Sequence, residues 1–187
     1  MSLTMALLLL CGLCAASELS ILARDRLRSR GKRVDRGSRS IVIWLLLIGL
    51  AVAAATHVIG CGSMLGDPVP WFWAGSALAV FGIYVRQRAV AHLGRFFRTE
   101  VTLLDDHRLV TDGPYARVRH PAYTGFVLML IGIGLAFACV IAIIAMIAPV
   151  IGLIYRIRVE EAALESRFGE EWAEYRARTG ALLPSWS

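Results

Sequence analysis

Residues His107–Tyr123, HRLVTDGPYARVRHPAY, bring two histidines, two tyrosines, three arginines and a Gly-Pro turn together between two apolar blocks. A cluster of this kind, held at the edge of a membrane domain, is where chemistry would be placed. Its sharpest element is Arg119-His120-Pro121-Ala122-Tyr123. Proline suits the first position of a helix, where its missing N–H costs nothing. His120 is therefore expected at the N-cap, beside free N–H groups that can hold a carboxylate or phosphate. Tyr123 would project from the first helical turn and Tyr115 from the preceding loop. Aromatic faces and carboxylates together are what a sulfonium or quaternary cation needs. The plainer reading is a helix start with an interfacial tyrosine, and composition alone does not separate the two.

A second group lies near the C-terminus. Leu164, Phe168, Trp172 and Tyr175 recur on one face of a helix. Stepping back along that stripe by four residues gives Glu160, and by four again Arg156. A carboxylate and a guanidinium one turn apart on the inward face are candidates for a site. The alternative is an i,i+4 salt bridge, stabilising by only a few tenths of a kcal/mol. Glu161, about 100° further round, is expected to face water.

The elements that must carry these residues are hydrophobic. The chain has 187 residues, of which 57% are apolar, and a mean hydropathy of +0.63. That indicates one compact integral membrane domain. The net charge of +6 does not imply nucleic acid, because the twenty basic residues are confined to three segments. Eight lie in Arg24–Arg39, seven in Arg86–Arg119 and five in Arg156–Arg178. Basic clusters alternating with charge-free apolar runs are a topology signal that places all three on the cytoplasmic side. Cys11 and Cys14 form a CxxC inside an apolar run with no second pair, so they read as small buried residues and not as a metal site.

Taken in order, Ser2–Ala23 is a first span with one charge, Glu18, expected to snorkel or pair with Arg24. The basic loop 24–39 precedes a second span, Ser40–Cys61. A third begins at Trp71 and Trp73 and runs to about His92. Pro121–Tyr155 is uncharged. As one straight helix it would extend roughly 50 Å against a bilayer core of about 30 Å. With basic flanks at both ends, it must be a tight hairpin turning near Phe137–Val140. Five spans result, with the N-terminus outside and the C-terminus inside. An amphipathic cytoplasmic helix follows over residues 156–178, ended by Gly180 and Pro184. The chain thus divides into residues 1–92, the three N-terminal spans, and residues 93–187, which hold both chemical groups.

The run LVTDGPYARVRHPAY, an uncharged hairpin, and then RxRVEEAALxxxFGxEWxxYxxRTGxLLP resembles the isoprenylcysteine carboxyl methyltransferase family. That family belongs to a wider group of membrane methyltransferases that includes the phospholipid N-methyltransferases. The resemblance covers about Leu93–Pro184, and the first two spans match only in general pattern. It implies S-adenosyl-L-methionine as cofactor, with S-adenosyl-L-homocysteine as product. Carried over by motif, it implies cofactor binding by His107, Leu109, Val110, Tyr115, His120, Pro121, Tyr123 and Glu160, and a substrate role for Arg156. Ala162 and Ala163 break the longer acidic run of the family, which leaves the roles of Glu160 and Glu161 open to exchange; Arg119 is a further candidate.

The expectation is an all-α membrane methyltransferase acting on a lipophilic acceptor, a carboxylate in the first instance, at the cytoplasmic face among membrane lipids. Phospholipid N-methylation is the alternative chemistry, and a non-catalytic membrane subunit with the same fold is the alternative class. The short N-terminal region and compact loops fit a prokaryotic plasma-membrane protein. No strand–GxGxG pattern is present, so a Rossmann-type cofactor domain is not expected. Gly132 and Gly134 are expected to serve close helix packing.

Overall fold

The computed structural model describes residues 2–26, 32–33, 35, 37–60, 66–99, 102–103 and 108–185. Six α-helices dominate it: α1 (Leu3–Arg26), α2 (Ser38–Val58), α3 (Pro68–Leu93), α4 (Pro121–Ala136), α5 (Val140–Phe168) and α6 (Glu170–Arg178). Two short strands, β1 (Lys32–Arg33) and β2 (Thr102–Leu103), pair antiparallel with Lys32 opposite Leu103. Helices α1, α2, α3 and α5 are long and apolar enough to cross a membrane, which makes this an integral membrane protein. Helix α4 is a shorter apolar helix of 16 residues, about 24 Å long at 1.5 Å per residue. It is mostly buried between α3 and α5.

Local sequence explains the boundaries. The Asp67 carboxylate caps α3 by accepting from the Val69 N–H at 3.0 Å, with Pro68 at the first position. His120 is the N-cap of α4 and Pro121 its first residue. Phe137–Cys139 turn the chain between α4 and α5, where the hairpin was expected. Helix α5 does not stop at the hydrophobic boundary. Its 29 residues extend about 44 Å, so its last turns, with Arg156, Glu160 and Glu161, project beyond a bilayer core. The expected single helix over 156–178 is broken. Gly169 adopts φ +51°, a conformation open to glycine at little cost, and the chain restarts as α6.

Small residues let α3 and α4 pack backbone to backbone. A Cβ on Gly82 would lie 2.5 Å from the Met129 nitrogen, and one on Gly125 would lie 2.5 Å from the Arg86 nitrogen. Gly132 faces Gly75 in the same way, and Gly134 meets the Ile143 Cα at 2.9 Å from its would-be Cβ. This is the small-residue contact that membrane helices use in place of a hydrophobic driving force. The core between the helices is built from Leu7, Leu10 and Cys14 of α1, Phe72 of α3, Phe126, Met129, Leu130 and Ile133 of α4, and Met146 and Leu153 of α5.

Glu18 corrects one expectation. It pairs not with Arg24 but with Arg86 of α3, in a two-pronged contact at 2.5 and 2.8 Å. Arg24 instead bonds to Ser20 and Gln87. Arg86 also donates to the Ala122 carbonyl at 3.0 Å and lies over the Phe126 ring at 5.0 Å. A charge facing apolar surroundings takes the partner that leaves fewest donors unmet, and the guanidinium of Arg86 is buried where Glu18 can reach it.

Candidate functional site

The start of α4 and the end of α5 meet at one end of the helix bundle. Tyr123 donates its phenol hydrogen to Glu160 Oε2 at 2.6 Å, and Arg156 Nε donates to the same phenol oxygen at 2.8 Å. The His120 ring stacks on the Tyr123 ring at 5.4 Å between centroids, and its Nδ1 lies 4.0 Å from Glu160. Arg156 is saturated with partners. Nη1 reaches Asp35 Oδ1 at 2.9 Å and Ser38 Oγ at 3.3 Å, and Nη2 reaches the Thr99 carbonyl at 2.8 Å. Asp35 also accepts from the Ser38 hydroxyl at 2.8 Å, so the first turn of α2 is tied to the same point.

A second layer fixes the His-Pro element. Glu161 Oε1 accepts from Arg119 Nε at 2.9 Å and lies 3.1 Å from His120 Nε2. Its side chain is 15% exposed, so the expectation that Glu161 faces water is wrong. The reason is the start of α4, whose Arg119 and His120 side chains engage the carboxylate and are themselves held by the chain beyond α6. Gly180 and Ala181 carbonyls accept from the Arg119 and His120 N–H groups at 2.8 and 3.0 Å, and the Leu182 carbonyl accepts from Thr124 at 2.6 Å. Arg119 also donates to the Thr179 carbonyl.

These residues border a cleft of about 840 Å³, open mouth included. Leu109, Val110, Tyr115, Arg119, His120, Tyr123, Arg156 and Glu160 all line it. Pro121 is buried beneath as the helix start, and Glu161 lies outside the lining. His107 falls outside the described residues. The far wall is aromatic, with Phe96, Phe97, Trp172 and Tyr175. Tyr175 donates to the Tyr115 carbonyl at 2.7 Å, and Tyr115 stacks on His92. Burial pushes both phenols up, Tyr175 to about 12, so they remain neutral donors at ordinary pH. Asp112, at the rim, is held below the usual carboxylate range by its hydrogen bond to His92.

A larger chamber of about 1480 Å³, its open side included, adjoins the cleft. Its walls are apolar, from Cys14 and Leu22 of α1, Leu46 and Leu50 of α2, Met129 and Ile133 of α4 and Leu153 of α5. Phe97, Arg98, Tyr123 and Arg156 border both spaces. Sequence reading did not find the chamber, nor Asp35 and Thr99 as partners of Arg156. Those contacts join segments 121 and 57 residues apart, and no local pattern announces them. Phe97 and Arg98 follow the 3-10 turn that ends α3, where Asp25 of α1 holds them by bonds to Arg98 and Thr99. Among the described residues no cluster of His, Cys, Asp and Glu could hold a metal ion.

Comparison with known proteins supports the same half of the chain. The sequence profile of the isoprenylcysteine carboxyl methyltransferase (ICMT) family matches residues 75–166, which contain α4, most of α5 and the loop before them. Over that stretch, just under half of its length, the chain is similar to the ICMT family. Within it, the protein-S-isoprenylcysteine O-methyltransferase of Schizosaccharomyces pombe is 35% identical over 107 residues, 55% of this chain and 45% of that protein. The B enzyme of that name from Arabidopsis thaliana is 32% identical over 114 residues, 59% and 57% of the two chains. The chain therefore spans about half the length of these curated relatives. The solved structure of the eukaryotic intramembrane Ras methyltransferase ICMT superposes with a TM-score of 0.64 at 24% identity, over 76% of this chain and 51% of that one. That likeness establishes a shared fold.

Proposed function

We propose that this chain is an S-adenosylmethionine-dependent methyltransferase that methylates the carboxylate of a lipophilic acceptor at the cytoplasmic membrane face. The observation that carries the reading is the meeting, at Tyr123 and Arg156, of an apolar chamber with a cleft that also holds Arg119, His120 and Glu160. A soluble donor and a lipid-tailed acceptor need two such compartments with one point of contact. The residues of the cleft fit the cofactor. The Glu160 side chain keeps 32% exposure, and its carboxylate, with the stacked rings of His120 and Tyr123, suits a ligand carrying positive charge. Leu109, Val110 and the aromatic wall suit the base of a nucleoside. Pro121 holds the turn, and Tyr115 joins α3 to α6.

When bound, the cofactor supplies a methyl group already activated by its sulfonium. The protein is left with orientation and exclusion of water. Arg156, pinned by Asp35, Ser38 and Thr99, presents a fixed cationic fork between the two compartments. An acceptor carboxylate arrives ionised and needs no base, and the single N–H on Nη2 that the other partners leave over can donate to it. Arg39, Arg86, Arg98 and Arg156 border the chamber, and Glu18, Asp25 and Asp35 engage the last three of them. Names such as protein-S-isoprenylcysteine O-methyltransferase among the relatives point to a prenylated protein terminus as one acceptor of this kind. The chamber is equally suited to a smaller lipophilic acid. The basic segments support a cytoplasmic cleft and an outside N-terminus, a reading in which α4 and its turn make a fifth crossing.

The test is calorimetric titration of the purified protein in detergent with S-adenosylmethionine. Binding in the micromolar range that His120→Ala weakens tenfold or more, at least about 1.4 kcal/mol, is the expected result. Absence of binding to well-folded protein would sink the enzyme reading and favour a non-catalytic membrane subunit. A positive result leads to an acceptor screen with radiolabelled methyl groups.

A further inference from the structure

The proposed function gives no role to the indole N–H of Trp172. Trp172, in the first turn of α6, lines the cleft with only 1% of its surface exposed. Its indole Nε1 is buried and has no hydrogen-bond partner among the described residues. An indole N–H only donates, and a buried donor left unmet costs about 1–3 kcal/mol. Its immediate surroundings offer no relief. Tyr175 meets the Trp172 ring edge-on at 5.8 Å, but its hydroxyl is committed to the Tyr115 carbonyl. The side chains of Ala163 and Leu164, also in the cleft lining, carry no acceptor.

We propose that Trp172 is a ligand-binding residue whose N–H donates to a ring nitrogen of the cofactor's adenine. This rests on the methyl-donor reading above. The choice of the base follows from the division of the cleft. Glu160, His120 and Tyr123 form the side that suits positive charge, whereas Trp172 and Tyr175 form an aromatic wall. A planar heteroaromatic ring stacks against such a wall and presents acceptor nitrogens at its edge. Buried polar groups of this kind confer selectivity, because a ligand lacking the acceptor leaves the donor unpaired. Trp172 would thus distinguish adenine from a base without an acceptor at that edge.

The experiment reads the indole directly. The five tryptophans are labelled with 15N, and their indole N–H signals are recorded in detergent with and without S-adenosylhomocysteine. Trp172→Phe identifies the signal, with Trp172→Tyr as a second variant should the first not fold. The expected result is a downfield shift and slower solvent exchange of the Trp172 signal. One of the 1-, 3- or 7-deaza analogues should fail to produce that shift in the wild-type protein. Trp172→Phe should bind S-adenosylhomocysteine about tenfold more weakly but bind that deaza analogue as the wild type does. A Trp172 signal that stays in place while S-adenosylhomocysteine binds would overturn the donor and leave the methyl-donor reading standing. No binding to folded wild-type protein would overturn both.

Discussion

Arg156 and Tyr123 share one hydrogen bond, 2.8 Å from guanidinium Nε to phenol oxygen, at the boundary between cleft and chamber. The phenol passes its own hydrogen to Glu160, so a residue bordering the chamber is linked in two steps to a carboxylate in the cleft. Arg156 is held from three other directions and has little freedom to move. Arg156→Lys should therefore fail despite keeping the charge, because an ammonium cannot reproduce the planar fork. We expect methyl transfer to fall roughly a hundredfold in kcat/KM, about 2.7 kcal/mol, with cofactor affinity changed far less. Steady-state kinetics beside calorimetry on the same preparation separates the two effects. An equal loss in both would place Arg156 at the cofactor instead.

The two adjacent glutamates should part company in the same assays. Glu160 faces the cleft, whereas Glu161 fastens Arg119 and His120 beneath it. Glu160→Gln should weaken S-adenosylmethionine at least tenfold, about 1.4 kcal/mol, at nearly unchanged melting temperature. Glu161→Gln should lower the melting temperature, since it takes the negative charge from two buried partners. Equal thermal effects would mean that the division of labour is wrong.

How much of this was legible in the sequence depends on the distance over which each feature is written. The His-Pro helix start and the stripe from Arg156 to Tyr175 are local patterns, and the structure places both at one cleft. The hairpin at Phe137–Cys139 follows from length and charge alone. The orientation of Glu161 does not, because helical geometry gives its angle but not what lies there; Arg119 and His120, 42 and 41 residues back, meet it. The break at Gly169 was hidden for a related reason. The apolar stripe continues in register on both sides of it, so periodicity reads straight through a residue whose φ has changed sign. For Glu18 the sequence offers the interface or Arg24, six residues away, whereas its partner stands 68 residues on.

That long-range pair gives a stability test. Glu18 and Arg86 meet beside the apolar chamber, where an uncompensated charge is expensive. Arg86→Met should destabilise by about 3–5 kcal/mol, by stranding the carboxylate and freeing the Ala122 carbonyl. The double variant Glu18→Met with Arg86→Met should recover a large part of that loss. Detergent unfolding curves on the two singles and the double close the cycle. Additive losses would show that the pair does not act as a unit.

Tyr175 predicts an alkaline limit. Its phenol donates to the Tyr115 carbonyl and is raised to about 12 by burial, above the ordinary value near 10. A folded-state value above the unfolded one means that the folded protein keeps a proton that the unfolded chain releases. The contribution is full below about pH 10 and disappears as pH rises through about 12. The wild type should lose melting temperature more steeply over that interval than Tyr175→Phe, which has no proton there to lose. Parallel curves would remove this hydrogen bond from the account.

The acceptor itself can be classified before it is identified. A carboxylate is ionised above its ordinary range near pH 4, so transfer to it should be independent of pH through neutrality. An amine or thiol acceptor must first lose a proton, and its rate should climb as pH rises. The chamber walls predict the rest of the molecule. They are apolar along α1, α2, α4 and α5, and the charged groups at their edge are mostly arginines. A series of carboxylic acids with lengthening apolar tails should gain affinity by about 0.8 kcal/mol per buried methylene until the chamber is full. Methyl esters of the same tails, having no negative charge for Arg156, should bind more weakly and should not be methylated. We expect the tail dependence to survive Arg156→Lys while the distinction between acid and ester shrinks. If acid and ester compete equally against a labelled acceptor in the wild type, the carboxylate assignment fails, and the pH profile then decides between amine and thiol.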